Sequence, residues 1–167
     1  FITNITVIIE HKKISYTNFG IKKKNYQEIV SRKNFENTLI DAKDLFNENF
    51  QREKIIHILL NKYMVNEKTY SSFKDDLVGD TFCVELKFIS ISKDLVTQIN
   101  NILEKYQIST SQYMHQNYIR SFFHNNFTNV SDVAYKIKKG FNSNEVRLIP
   151  RNYQKKGFFE KFFQLFS

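Results

Sequence analysis

The chain has 167 residues, 41% of them hydrophobic, and 25 basic against 17 acidic side chains give it a formal charge of +8; this length suits one domain with a single core and an appendage. No run approaches the roughly 18 to 20 consecutive apolar residues of a spanning helix, and FITNITVIIEHKK lacks the basic start, long apolar stretch and cleavage site of a signal peptide, so a cytoplasmic protein is expected. The lone Cys83 leaves no intramolecular disulfide to form and reads as a small buried apolar residue, so redox chemistry is not suggested.

In chain order, ITVIIE (Ile5 to Glu10), the polar His11-Lys12 and KISYTNFGI read as two β-branched strands joined tightly in a first hairpin. Ser31 is placed to cap a helix whose apolar positions Phe35, Leu39, Ala42, Leu45 and Phe46 recur at three- and four-residue spacing, a stripe that needs a sheet to cover. KIIHILLNKYMV (Lys54 to Val65) is apolar on both parities, which predicts a central strand running into a looser extended stretch, followed by a polar connection. After Gly79-Asp80, TFCVELKFISI puts Phe82, Val84, Leu86 and Phe88 on one face and Glu85 and Lys87 on the other, the clearest alternation in the chain. Ser92 caps a second helix with the stripe Leu95, Val96, Ile99, Ile102, Leu103 and Tyr106, and Asp94 suits its first turn. QISTSQYM returns as a short strand, YIRSFF as a helical turn, and NVSDVAYKIKKG as a further helix ended by Gly140; EVRLIP is a short extended piece stopped by Pro150.

The resulting order, β-β-α-β-β-α-β, predicts an α+β fold: a small, mostly antiparallel sheet covered by two helices, with an amphipathic helix at the C-terminus. Three segments are expected, residues 1–125 as the folded module, 126–156 as a basic linker containing a short helix, and 157–167 as the terminal helix. Residues 126–167 hold eight basic and three acidic side chains, so most of the net charge lies there.

Chemistry is sparse. The four histidines, His11, His57, His115 and His124, fall in different elements with no HxxxH, HxH or CxxC companion, which argues against a metal site. Gly20, Gly79, Gly140 and Gly157 are isolated, so no phosphate-cradling loop is spelled out, and Asp75-Asp76, the adjacent carboxylate pair, sits in a polar loop. No enzyme and no cofactor is expected from this chain. The tail GFFEKFFQLFS is different: at about 100° per residue, Phe158, Phe159, Phe162, Phe163, Leu165 and Phe166 share an arc of roughly 160°, with Glu160, Lys161, Gln164 and Ser167 filling the rest. Its expected role is to lie in an anionic membrane surface, with Lys155, Lys156 and Lys161 adding electrostatic attraction. The competing expectations are a terminal core helix or a segment that fills a groove on a partner protein.

The series NITVIIEHKKISY, NFENTLIDAKDLF, EKIIHILLNKYMVN and VGDTFCVELKFISISKDLVTQINNILEKYQISTSQYM, followed by the tail, resembles the FtsA family of actin-like bacterial cell-division proteins. The likeness covers Ile5 to about Phe123, matching the subdomain that sets that family apart from other actin-like proteins, and GFFEKFFQLFS resembles its C-terminal membrane-targeting helix. The resemblance implies a non-catalytic interaction module that links division-ring components to the cytoplasmic face of the bacterial inner membrane as a peripheral protein. Its partners would be other cell-division proteins and further copies of itself. Intact members carry an actin-like ATP-binding core for which no segment here provides, so ATP and FtsZ contact are not carried over. Two alternatives stand beside it. One is a pilus-assembly protein of the related actin-like family; the other is a nucleic-acid-binding domain, suggested by a pI near 9.4 and 16% aromatics. The sheet runs carry mixed charge and place their aromatics on core parities, which speaks against nucleic acid as a partner.

Overall fold

The computed structural model describes residues 2–74, 76–123 and 129–146. The chain is α+β with a mostly antiparallel sheet. Its elements run β1 (Asn4–Ile9), β2 (Ser15–Ile29), α1 (Arg32–Asn49), β3 (Glu53–Val65), β4 (Lys68–Tyr70), β5 (Val78–Ser92), α2 (Lys93–Glu104), β6 (Ser109–His115), α3 (Gln116–Arg120), α4 (Val130–Lys138) and β7 (Glu145–Val146). They divide into two compact units, and β2, β3 and β5 each contribute residues to both.

The larger sheet has the order β2-β5-β3-β4, with β7 also pairing β3. β3 pairs antiparallel with β4 over Tyr63–Val65 and with β7 over Ile58–Leu59. In the unit built from residues 17–51, 58–87 and 144 onward, α1 lays its stripe against this sheet. Phe35, Leu39, Ala42 and Phe46 are buried, together with Thr38, whose hydroxyl donates back to the Asn34 carbonyl at 2.8 Å. Ser31 caps the helix as its sequence suggests, its Oγ accepting from the Asn34 N–H at 3.2 Å. Leu45, expected in the stripe, is 42% exposed. On β5, Phe82, Val84, Leu86 and Phe88 are all buried while Glu85 and Lys87 stay partly open, so the predicted alternation holds; beyond it Ile89, Ser90 and Ile91 are buried on both parities.

Gly79 holds a tight place in this unit. A Cβ there would meet Val65 Cγ1 at 2.5 Å and the Asn66 side chain at 3.0 Å. The room is taken because Asn66, at φ 46° in the β3–β4 turn, points its Oδ1 at the backbone N–H groups of Asp80 (2.8 Å) and Thr81 (3.3 Å). A side-chain amide thus substitutes for a neighbouring strand, and only a residue without Cβ lets it approach.

In the other unit, built from residues 1–16, 52–57 and 88–143, β1 pairs β6 as a parallel ladder of two strands. The expected β1–β2 hairpin is therefore not formed. The chain does turn at His11, whose carbonyl accepts from the Ile14 N–H at 3.2 Å. Beyond that turn β2 joins the larger sheet, while β1 takes its partner from more than a hundred residues away. Ile9, Ile91, Val96 and Tyr113 form this unit's core, with Val7, Ile14, Ile56, Leu95 and Ile99 packed on it. Asn100 of α2 accepts from the Tyr113 hydroxyl at 2.6 Å and the Thr110 hydroxyl at 3.1 Å, which ties α2 to β6. Of the α2 stripe only Val96 is fully buried; Ile102 is 57% and Tyr106 73% exposed.

The short helix expected in the basic segment is α4. Asn129 caps it by accepting from the Asp132 N–H at 2.8 Å, and Gly140, at φ 95°, follows its last turn. The polar connection after β3 contains the short strand β4, and β3 itself runs unbroken for 13 residues where a looser second half was expected. Among the described residues no helix is long and apolar enough to cross a membrane. The terminal helix expected over residues 157–167 lies outside the described residues, as does the end of the extended piece at Pro150.

Candidate functional site

The side chains that the sequence assigns to membrane contact, Lys155, Lys156, Phe158, Phe159, Lys161, Phe162, Phe163, Leu165 and Phe166, all lie outside the described residues. Within the described residues, polar and reactive groups gather in three places.

Two histidines that the sequence leaves unconnected meet in the unit that holds β1 and β6. His57 of β3 and His115 at the end of β6 are 1% and 3% exposed. The backbone N–H of His115 donates to His57 Nε2 at 3.0 Å, so that nitrogen is the acceptor and the ring proton of the neutral form sits on Nδ1. The Tyr118 ring packs at 4.4 Å from His57, and the Tyr16 hydroxyl lies 3.2 Å from His115 Nδ1. Burial pushes the Tyr16 phenol above its ordinary pKa. This arrangement uses an imidazole nitrogen to satisfy a buried strand amide, a structural task that takes Nε2 away from acid–base work. His11 is exposed and accepts from the Lys13 N–H at 3.1 Å, and His124 lies outside the described residues. Among the described residues no three His, Cys, Asp or Glu side chains come together as a metal site.

In the other unit Phe35, Tyr63, Phe73 and Tyr70 form an aromatic cluster, with Phe35 4.6 Å from Phe73 and Tyr63 5.3 Å from Phe73. The Arg32 guanidinium lies 5.3 Å over Phe73, and the ammonium groups of Lys68 and Lys74 lie 5.8 and 5.4 Å over Tyr70. These rings pack on one another beneath cations; a nucleic-acid platform instead offers ring faces to successive bases. Nearby, burial raises the Glu36 carboxyl, with Arg32 acting in the opposite direction. Burial and the Glu85 carboxylate raise the Cys83 thiol, against a smaller lowering by Lys22. A raised thiol is a poor nucleophile. Asp76 is exposed with φ 65°, and its neighbour Asp75 lies outside the described residues.

The third place is the β1–β6 ladder. Its register slips between Ile5 and Thr6, leaving Ser111 of β6 as an extra residue. The Ser111 hydroxyl fills the gap: it donates to the Ile5 carbonyl at 3.0 Å, lies 3.3 Å from Thr6 Oγ1 and accepts from Lys138 Nζ of α4 at 3.3 Å. No second strand borders β1 among the described residues.

No family model and no curated protein sequence matches this chain. Among the described residues several buried polar side chains hold the backbone, Thr38 bonding the Asn34 carbonyl, Asn25 the Gly79 carbonyl and His57 the His115 amide. Local sequence could not reveal the His57–His115 link or the β1–β6 ladder, because each joins residues 58 or more positions apart.

Proposed function

We propose that this chain is a non-catalytic, membrane-attached adaptor of the FtsA type, which holds an α+β interaction module against the cytoplasmic face of a bacterial inner membrane for other division proteins to bind. The observation that carries the proposal is the segment GFFEKFFQLFS, whose six large apolar side chains share one helical face. The order of strands and helices between β1 and β6 supports it, because apart from the additional short strand β4 it is the order on which the resemblance to the family rests.

The energetics fit reversible attachment. Five Phe and one Leu supply the apolar contact, burial at headgroup depth is partial, and the entropy cost of ordering the segment offsets much of the gain. Lys155 and Lys156 add about 1 kcal/mol each near an anionic leaflet. A single copy is weakly bound, so self-association strengthens attachment through avidity.

The test is co-sedimentation of the full chain with anionic vesicles, beside a thermal melt in lipid-free buffer. Phe159→Asp with Phe162→Asp removes vesicle binding and leaves the melt unchanged; Lys155→Gln with Lys156→Gln weakens binding partly, most at low salt. If the segment is a core helix instead, the Asp pair lowers the melting temperature by many degrees and vesicles make no difference.

A further inference from the structure

The molecule treats its sheet edges unequally. β2, at one edge of the larger sheet, carries Lys22, Lys23 and Lys24. At the opposite end of the order, β4 carries Lys68, and the ammonium groups of Lys68 and Lys74 both lie over its Tyr70. Lysines of this kind keep an edge strand from pairing with another chain. The outer side of β6 is engaged at His115, whose N–H is held by His57. Among the described residues β1 has no such guard. Its residues, Asn4 to Ile9, are uncharged, mostly β-branched and free of Pro and Gly, and the extra residue at the register slip belongs to β6 and not to β1. Parallel ladders ordinarily lie inside larger sheets, and two strands alone make a marginal sheet. Thr3 turns its carbonyl to the Ser109 N–H, so by alternation Asn4 turns its own backbone groups away from β6.

We infer that β1 is a pairing edge, and that it takes β1 of a second copy of this chain in an antiparallel, two-fold-symmetric ladder centred on Thr6. The core restricts the register to pairings of like parity, and the one proposed is centred on Thr6. Val7 and Ile9 pack into the core, and residues opposite one another in an antiparallel pair point to the same side. The core faces of two copies therefore match when odd positions oppose odd ones: Ile5 faces Val7, Thr3 faces Ile9, Asn4 faces Ile8, and Thr6 faces its own copy. Glu10 then falls opposite Ile2. No like charges oppose each other within the strand, so the ladder forms despite a chain charge of +8. The same self-pairing at β2 would set lysine against lysine. Because the rest of the molecule is basic, added salt strengthens the dimer. The inference stands apart from the membrane reading and would hold for a chain that bound no lipid.

The test is sedimentation velocity of the full chain without lipid at micromolar concentrations, with Thr6→Lys as the variant. The Thr6 side chain makes a 3.3 Å contact at an exposed position, and the new lysines would meet at the two-fold axis. The unsubstituted chain forms dimers, and Thr6→Lys weakens them by about fivefold or more. Hydrogen exchange on the unsubstituted chain gives a reading that does not depend on the variant folding: amides of residues 4–9 gain protection as concentration rises and lose it on dilution. A chain that stays monomeric, a dimer that Thr6→Lys leaves intact, as one built on the tail would be, or β1 amides whose exchange ignores concentration would each overturn the inference.

Discussion

Gly79→Ala probes the packing of the larger sheet where the margin is smallest. The added methyl would sit 2.5 Å from Val65 Cγ1 and 3.0 Å from Asn66 Oδ1. Val65 is 4% exposed and cannot swing into solvent, and moving Asn66 gives up its hydrogen bonds to the Asp80 and Thr81 amides. Overpacking of this kind costs about 1 to 3 kcal/mol, and losing the amide bonds adds about 1 kcal/mol. For a chain of this size that corresponds to a fall in melting temperature of about 4 to 16 °C. The clash has a named partner, so it can be relieved. Val65→Ala alone opens a cavity and costs on the order of 2 kcal/mol, but added to Gly79→Ala it vacates the space the new methyl needs. The double variant should then be more stable than the sum of the single losses by about 1 kcal/mol or more. Thermal melts of the four proteins measure this directly. A Gly79→Ala protein that melts with its parent, or losses that simply add, would refute the account of why glycine stands there.

Two further predictions rest on perturbed titrations. Burial raises the Glu36 carboxyl, so its contribution to stability is present below the unfolded-state pKa and lost as pH rises through the folded one. Glu36→Gln should therefore melt slightly higher than the parent at pH 7, by less than about 1 kcal/mol for so open a group, with the difference closing as pH falls through the carboxylate range; a variant less stable at pH 7 would contradict this. The Cys83 thiol is raised by burial and by Glu85, so alkylation of the folded chain at neutral pH should run slower than that of free cysteine and accelerate only above the usual thiol range; a rate at or above that of free cysteine would overturn it.

What sequence makes legible here is what local chemistry decides. Ser31 and Ser92 cap their helices because a hydroxyl at that position meets an orphan amide within three residues, and β5 shows its faces because Phe82, Val84, Leu86 and Phe88 alternate with polar neighbours. Pairing between distant strands leaves no such mark. β1 and β2 look like a hairpin from their spacing, yet β1 pairs in parallel with β6, a partner that only the assembled fold brings alongside. The α2 stripe shows that an apolar helical face can be read from sequence without knowing how much of it a partner covers: Val96 is buried while Tyr106 on the same stripe is mostly open. The buried His57–His115 link escaped for the same reason as the ladder. The side chains proposed for membrane contact rest on a period of phenylalanines in a segment outside the described residues, so that proposal draws on the sequence pattern and not on the fold.

That independence makes the central claim directly measurable. Residues 151–167, fused to an unrelated soluble fluorescent protein that is itself a stable dimer, so that two copies of the segment act together, should carry it to the top of a flotation gradient with anionic vesicles, and the same fusion with Phe159→Asp and Phe162→Asp should stay at the bottom. A fusion that remains at the bottom with its phenylalanines intact would contradict membrane attachment through this segment.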